Sequence, residues 1–193
     1  VPTRGLSRQR EVLRRAASCC IATDMQKIAK FEKVSKERFV KDYTGCFGCG
    51  EAEAARVYDG IKLPRRATKG SAGYAVFSTA DIALEAGKGV KIPTGIRALI
   101  DDGWVLQIFP RSGLGFKYRL QLDNSVGIID SDYSQSDNEG HIFIKITNDG
   151  KEGKSLTIAE GDGFAQGIFL PYGITVDDSA EAERNGGFGS TGK

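Results

Sequence analysis

From residue 61 onward, apolar residues recur at every second position in short runs. Ile82 and Leu84, Val90 and Ile92, Leu120 and Leu122, the set Ile142, Ile144 and Ile146, and Leu156 with Ile158 all follow this period, and longer apolar stretches cover residues 104–109 and 168–170. Between them stand turn signals: residues 85–89 and 160–163, each with two glycines, Pro93-Thr94-Gly95, Asp101-Asp102-Gly103 and Asn148-Asp149-Gly150. A period of two places alternate side chains on one face of a strand. Short strands at ~8–12-residue spacing, with almost no helical period, predict an all-β sandwich or barrel. Ahead of this region, residues 28–34 predict a first short strand. Residues 35–43 predict a short helix, with Ser35 as N-cap and Phe39 and Val40 facing inward. No repeat recurs at a fixed period, and no apolar run approaches the ~18 residues that a membrane-spanning helix requires.

The chain has 193 residues, 40% hydrophobic and 27% charged, which suits one globular domain with a small addition. Glycine deviates: 25 residues is nearly twice the usual ~7%, as expected where many tight turns or close backbone approaches are needed. The formal net charge is only +2, which argues against nucleic-acid binding. Residues 1–24 carry five of the 27 basic residues against two of the 25 acidic ones, so the remainder is close to neutral. The only methionine is Met25. Residues 1–24 therefore read as a leader or added extension outside the fold, and their Arg-rich composition resembles a transit peptide. All four cysteines, Cys19, Cys20, Cys46 and Cys49, precede residue 50. A disulfide-stapled secreted scaffold would spread them through the fold, so a reducing cytoplasm is the simpler expectation. Cys46 and Cys49 have the spacing of half a zinc site, but His141 is the only histidine and adjacent Cys19 and Cys20 would chelate one ion poorly.

Five stretches break the strand pattern with polar or glycine-rich residues. Gly70-Ser71-Ala72-Gly73-Tyr74 is the first. Pro110-Arg111-Ser112-Gly113-Leu114-Gly115 puts a guanidinium, a hydroxyl and free backbone N–H groups in one tight loop, a combination suited to phosphate oxygens. Residues 124–133, Asn-Ser-Val-Gly-Ile-Ile-Asp-Ser-Asp-Tyr, form a strand that ends in two carboxylates and an aromatic ring. Gln166, inside an apolar run, must find partners for its amide, and bracing a neighbouring loop is one way to do so. Residues 184–193 combine arginine, an aromatic ring, two hydroxyls and four glycines, a composition able to fold over a nucleotide. That tail does not match the Gly-x-x-x-x-Gly-Lys-Ser/Thr pattern of a phosphate loop in ATPases.

In this order, the five stretches resemble the motifs of the trimeric dUTPase family over residues 61–193. The resemblance implies a distorted β-barrel or jelly roll that assembles as a homotrimer, with active sites at subunit interfaces. It implies hydrolysis of dUTP to dUMP and pyrophosphate, with Mg²⁺ carried on the triphosphate. By matching positions, Asp130 corresponds to the general base that activates water. Tyr133 corresponds to the ring that packs under deoxyribose and excludes a 2′-hydroxyl, with Phe143 also beneath the sugar. Asn124, Gly127, Ile128 and Ile129 correspond to the hairpin that reads uracil. Arg111, Ser112, Gly113 and Gln166 correspond to the triphosphate cradle. Arg184, Phe188, Ser190 and Thr191 correspond to a closing arm at about 180–193, expected to be mobile.

The sequence departs from the family pattern in three places. Ala75 follows Ala72-Gly73-Tyr74 where the family carries aspartate, so the chain offers no carboxylate to hold a water on Mg²⁺. Six residues, Ser134 to Glu139, stand between Tyr133 and Gly140 where a single residue is usual. Residues 35–57 form an insertion with no counterpart role. The alternatives are a catalytically weakened nucleotide-binding or regulatory homologue, favoured by Ala75, and a dCTP deaminase of the same fold. Deamination needs an acid/base glutamate on the strand where this chain has Lys145.

Overall fold

The computed structural model describes residues 25–182, 184 and 186. The expected leader, and Phe188, Ser190 and Thr191 of the arm, lie outside the described residues. The fold is all-β, built from twelve strands among the described residues in small antiparallel sheets. Strand β1 (Ala29–Lys33) pairs with β6 (Ile96–Ile100). Strand β10 (Phe143–Asn148) sits between β5 (Gly89–Pro93) and β8 (Leu120–Leu122), while β11 (Leu156–Ile158) pairs with β4 (Ile82–Leu84). The largest sheet runs in the order β2 (Arg65–Arg66), β3 (Tyr74–Phe77), β12 (Gly163–Pro171), β7 (Trp104–Pro110), β9 (Gly127–Ile129).

The period-two reading accounts for the core. In β10, Ile144, Ile146 and Asn148 are buried while Lys145 is exposed. Leu106, Ile108, Ile92, Leu120, Leu156 and Phe164 close the interior. A fully buried aliphatic side chain contributes about 1.5–3 kcal/mol relative to an exposed one, so this shared interior fixes strand register firmly.

The expected first strand and helix both form, and the helical part is larger than its sequence pattern suggests. Helix α1 spans Lys36–Phe47, capped by Ser35, whose Oγ accepts from the Arg38 N–H at 3.1 Å. Gly48 ends it in the left-handed region at φ 67°. A second helix, α2 (Glu51–Gly60), follows at once, burying Ala54 and Val57 at i, i+3 spacing. The lobe does not stand apart from the barrel. Phe39 and Val57 belong to the same buried cluster as the strands, and the Tyr43 hydroxyl donates to the Thr79 carbonyl at 3.0 Å. The lobe seats on Gly95, where φ is +71° and a Cβ would fall 2.2 Å from Ile61 Cδ1 and 3.0 Å from Phe39 Cδ2. Cys46 and Cys49 are free thiols, and burial pushes the Cys46 thiol up.

Candidate active site

Strands β8 and β9, which belong to different sheets, are joined by a turn that carries Asn124 and Ser125, the latter at φ 64°, and leads into Gly127. Gly127 lies opposite Ile108 on β7, and a Cβ there would come within 3.1 Å of the Ile108 Cβ. Glycine lets β9 lie close on β7. Between the β8–β9 turn with β9 on one side and the start of β10 on the other opens a cavity of about 530 Å³, within the usual range for a small-molecule site. Asn124, Gly127, Ile128, Ile129, Tyr133, Phe143 and Arg184 all line it, as do Lys91, Lys145 and Asp123.

Strand β9 ends at Asp130, which is the N-cap of a 3₁₀ turn over Ser131–Gln135. Its backbone carbonyl accepts from the Tyr133 N–H at 3.2 Å, but its carboxylate makes no capping bond. The carboxylate is about half exposed and accepts from Arg184 Nη1 at 2.6 Å; Asp130 does not itself line the cavity, whose wall includes its neighbour Ile129 and its partner Arg184. The same guanidinium reaches Asp132 at 2.9 Å and lies 5.3 Å from the Tyr133 ring centre. Burial works against the Arg184 charge, yet the bonds to the two aspartates outweigh it and hold the guanidinium above its ordinary range. The sequence pointed to Asp130 alone of the two carboxylates; the structure gives Asp132 as well a direct partner in Arg184.

Tyr133 is buried, 6% exposed, and its hydroxyl donates to the His141 carbonyl at 3.0 Å while accepting from Asn138 Nδ2 at 2.8 Å. Burial raises the phenol above its ordinary value, so the ring is neutral at physiological pH. Neither Asn138 nor His141 was singled out for the site by sequence. Each lies in or beside the extension, and only the fold brings it behind Tyr133.

The phosphate-type residues gather elsewhere. The expected tight loop is the entry to a short helix, α3 (Ser112–Tyr118), with Arg111 at the N-cap position. The Ser112 and Gly113 N–H groups fall in its first turn, where no helical carbonyl can receive them. Arg111 Nη1 donates to the Gly163 carbonyl at 3.0 Å, and a Cβ on Gly163 would lie 2.5 Å from that nitrogen. Gln166 is half-buried on β12, opposite Phe109 and Ala75, and its Nε2 donates to the Pro110 carbonyl at 3.1 Å. The amide therefore braces the start of the loop. No residue of 110–115 or 163–167 lines the 530 Å³ cavity, so within one chain the pocket and the surface carrying Arg111, the free amides and Gln166 are separate.

Residues 59–192 match the dUTPase family model. The chain belongs to the dUTPase family. It is 40% identical over 136 residues to the deoxyuridine 5′-triphosphate nucleotidohydrolase of Lactococcus lactis, covering 69% of this chain and 89% of that relative. It is 42% identical over 139 residues to the enzyme of the same name from Desulfitobacterium hafniense, covering 68% and 87%. The crystal structure of dUTPase from Streptococcus mutans superposes with a TM-score of 0.56 at 31% identity, over 77% of this chain and 98% of that one. A mutant dUTPase from phage phi11 of S. aureus, described with a structural Mg(II) ion, shares the fold with a TM-score of 0.57 at 21% identity, covering 81% of this chain and 98% of that one. Helix α1 precedes the segment matched to the family model.

Proposed function

We propose that this chain hydrolyses dUTP to dUMP and pyrophosphate, as a homotrimer whose sites are completed across subunit interfaces. The observation that carries the reading is the placement of Asp130: its uncapped, half-exposed carboxylate directly follows Ile129 of the cavity wall, stands three residues before the buried ring of Tyr133, and is bonded to Arg184, which also lines the cavity. Asn124 and the backbone of Gly127, Ile128 and Ile129 would read the base, and Tyr133 and Phe143 would face the sugar. Asp130 would take a proton from water as its oxygen bonds to the α-phosphorus; the bond from that phosphorus to the bridging oxygen breaks, and pyrophosphate leaves. A carboxylate within hydrogen-bond reach of the water suffices for this role.

Arg111, Ser112, Gly113 and Gln166 would hold the triphosphate through forked charged donors and free amides. Because the pocket and this cradle are separate on one chain, the site supports sharing between copies. The exposed apolar run Leu170, Tyr172, Ile174 and Val176, 39%, 49%, 75% and 108% exposed, supports the same view, since such apolar stretches mark contact surfaces. Arg184, with Phe188, Ser190 and Thr191, would close over the nucleotide, exchanging its two aspartates for phosphate oxygens.

Among the described residues no group of three or more His, Cys, Asp or Glu side chains could hold an ion, and Ala75 faces Gln166 and Arg65 across the sheet. Mg²⁺ would enter with the substrate, as the magnesium salt of the triphosphate. Lys145, paired with Asp123 at 2.7 Å, occupies the strand position at which a deaminase needs glutamate, which disfavours that chemistry. With Mg²⁺ supplied, pyrophosphate release is expected from dUTP and not appreciably from dCTP, dTTP or UTP, and Asp130→Asn should abolish it while nucleotide binding persists. Unchanged turnover in Asp130→Asn removes Asp130 from its role. Tight dUTP binding without pyrophosphate, even in Ala75→Asp, makes the chain a regulatory binder, the reading that Ala75 favours.

A further inference from the structure

Two of the segments in which this chain departs from its family meet in the structure. Glu139, at the end of the six-residue extension, accepts from the Ser35 N–H at 2.7 Å and from Ser35 Oγ at 2.6 Å, immediately before α1. Arg38 of α1 reaches the Asp137 carbonyl at 3.5 Å, and Asp42 of α1 holds His141 Nδ1 at 2.7 Å. The helical lobe thus grips the extension at its far end. The middle of the extension turns the other way, toward Tyr133.

We infer that Asn138 is a positioning residue for Tyr133, and that the extension, braced by the lobe, sets how sharply this chain separates deoxyribose from ribose nucleotides. The inference rests on the reading of Tyr133 as the ring facing the sugar. The orientation of the Asn138 amide follows from its other end. Its Oδ1 accepts from the Gly140 N–H at 3.1 Å, an obligatory donor. Its Nδ2 must therefore face the Tyr133 hydroxyl, 2.8 Å away. That hydroxyl in turn donates to the His141 carbonyl at 3.0 Å, so both of its roles are filled. The loop is drawn tight over this contact: Glu139 has φ 60°, and Gly140 at φ 71° sits so close that a Cβ would meet Ser134 Cα at 2.6 Å. A steric filter against one extra oxygen works only as well as its ring resists displacement, and a phenol held at its outer end by two bonds resists it.

The test uses the full chain and pyrophosphate release from dUTP and UTP, for wild type, Asn138→Ala, Tyr133→Phe and the double variant. Asn138→Ala is expected to lower the ratio of kcat/KM for dUTP over UTP by about threefold to tenfold, the worth of one ordinary hydrogen bond. It should act mainly through KM, leaving kcat on dUTP within about twofold. Tyr133→Phe, which also removes the bond to the His141 carbonyl, should lower the ratio at least as much, and the double variant should fall no further than Tyr133→Phe, because the Asn138 bond is already gone there. An unchanged ratio, an equal loss on both nucleotides with a lowered melting temperature, or full additivity in the double variant overturns the inference. If wild type turns over neither nucleotide, the hydrolase reading falls by itself. The ratio of UTP to dUTP dissociation constants, measured by calorimetry on the same four proteins, then carries the comparison with the same outcomes.

Discussion

Acidification should destabilise this fold through one buried ring before the carboxylates begin to protonate. His141 is fully buried between Phe39 and Phe143, with ring centres 6.1 and 4.5 Å away. Its Nε2 accepts from the Gly95 N–H at 2.8 Å, so the neutral ring carries its proton on Nδ1 and donates it to Asp42. A second proton would turn the acceptor into a donor facing another donor. Burial lowers the ring from its ordinary 6.5; Asp42 and Glu139 pull the other way, Arg38 assists burial, and burial prevails. The sign follows from linkage. Between the lowered folded value and 6.5, the unfolded chain binds a proton that the folded chain refuses, so acid favours unfolding. The contribution is complete above 6.5 and is lost as pH falls toward the folded value, at up to about 1.4 kcal/mol per pH unit.

Urea unfolding of wild type and His141→Asn, in half-unit steps from about pH 5 to pH 8, reads this directly as a difference in slope. Chain concentration must be held constant, since association adds to apparent stability. Comparing slopes removes the fixed cost of the substitution itself. Wild type should lose stability below about pH 6.5 while the variant stays flatter. Parallel curves, or a wild type that gains stability on acidification, would refute the assignment. Glu139 belongs to a separate window: burial raises its carboxyl, but the two Ser35 donors outweigh that and leave it below the ordinary 4.5, so its contribution is lost only in stronger acid.

Two substitutions probe the cradle and the extension. In Gly73→Ala, the new Cβ would lie 2.8 Å from Gln166 Oε1, forcing the amide from its bond to Pro110; kcat/KM for dUTP should fall about threefold to tenfold by steady-state kinetics with the melting temperature nearly unchanged, and full activity would clear Gln166 of its bracing role. In Gly140→Ala, a left-handed residue meets backbone atoms that cannot retreat, Ser134 Cα and the Tyr133 carbonyl at 2.9 Å. A loss of at least about 2 kcal/mol in urea unfolding is expected, and a near-neutral result would mean that the extension relaxes freely.

The barrel was legible because burial imposes a period that the residues display, as at Ile144, Lys145 and Ile146. The Ser35 cap was legible for a local reason: its side chain bonds within the next turn. Helix α2 was harder to see, since only Ala54 and Val57 face fully inward and glycines at 45, 48 and 50 break the stretch before it. Helix α3 buries no residue fully, so no apolar stripe announces it. Asp130, Tyr133 and Gln166 could be read from type and spacing. Asn138 could not, because nothing local says that a polar loop residue will turn back onto a ring five positions earlier.

The bond from Ser35 to Glu139 also bears on the order of folding. It joins residues 104 positions apart, and Gly95, the seat of the lobe, is itself 60 positions beyond Ser35. Helices α1 and α2 need only local contacts to form, whereas docking needs closure of a long loop, which is slow. During synthesis the lobe leaves the ribosome before the later strands on which it docks. Its apolar face, with Phe39 and Val57, is then open to other chains until Gly95 arrives, and the pair of bonds to Glu139 is expected among the last contacts to close.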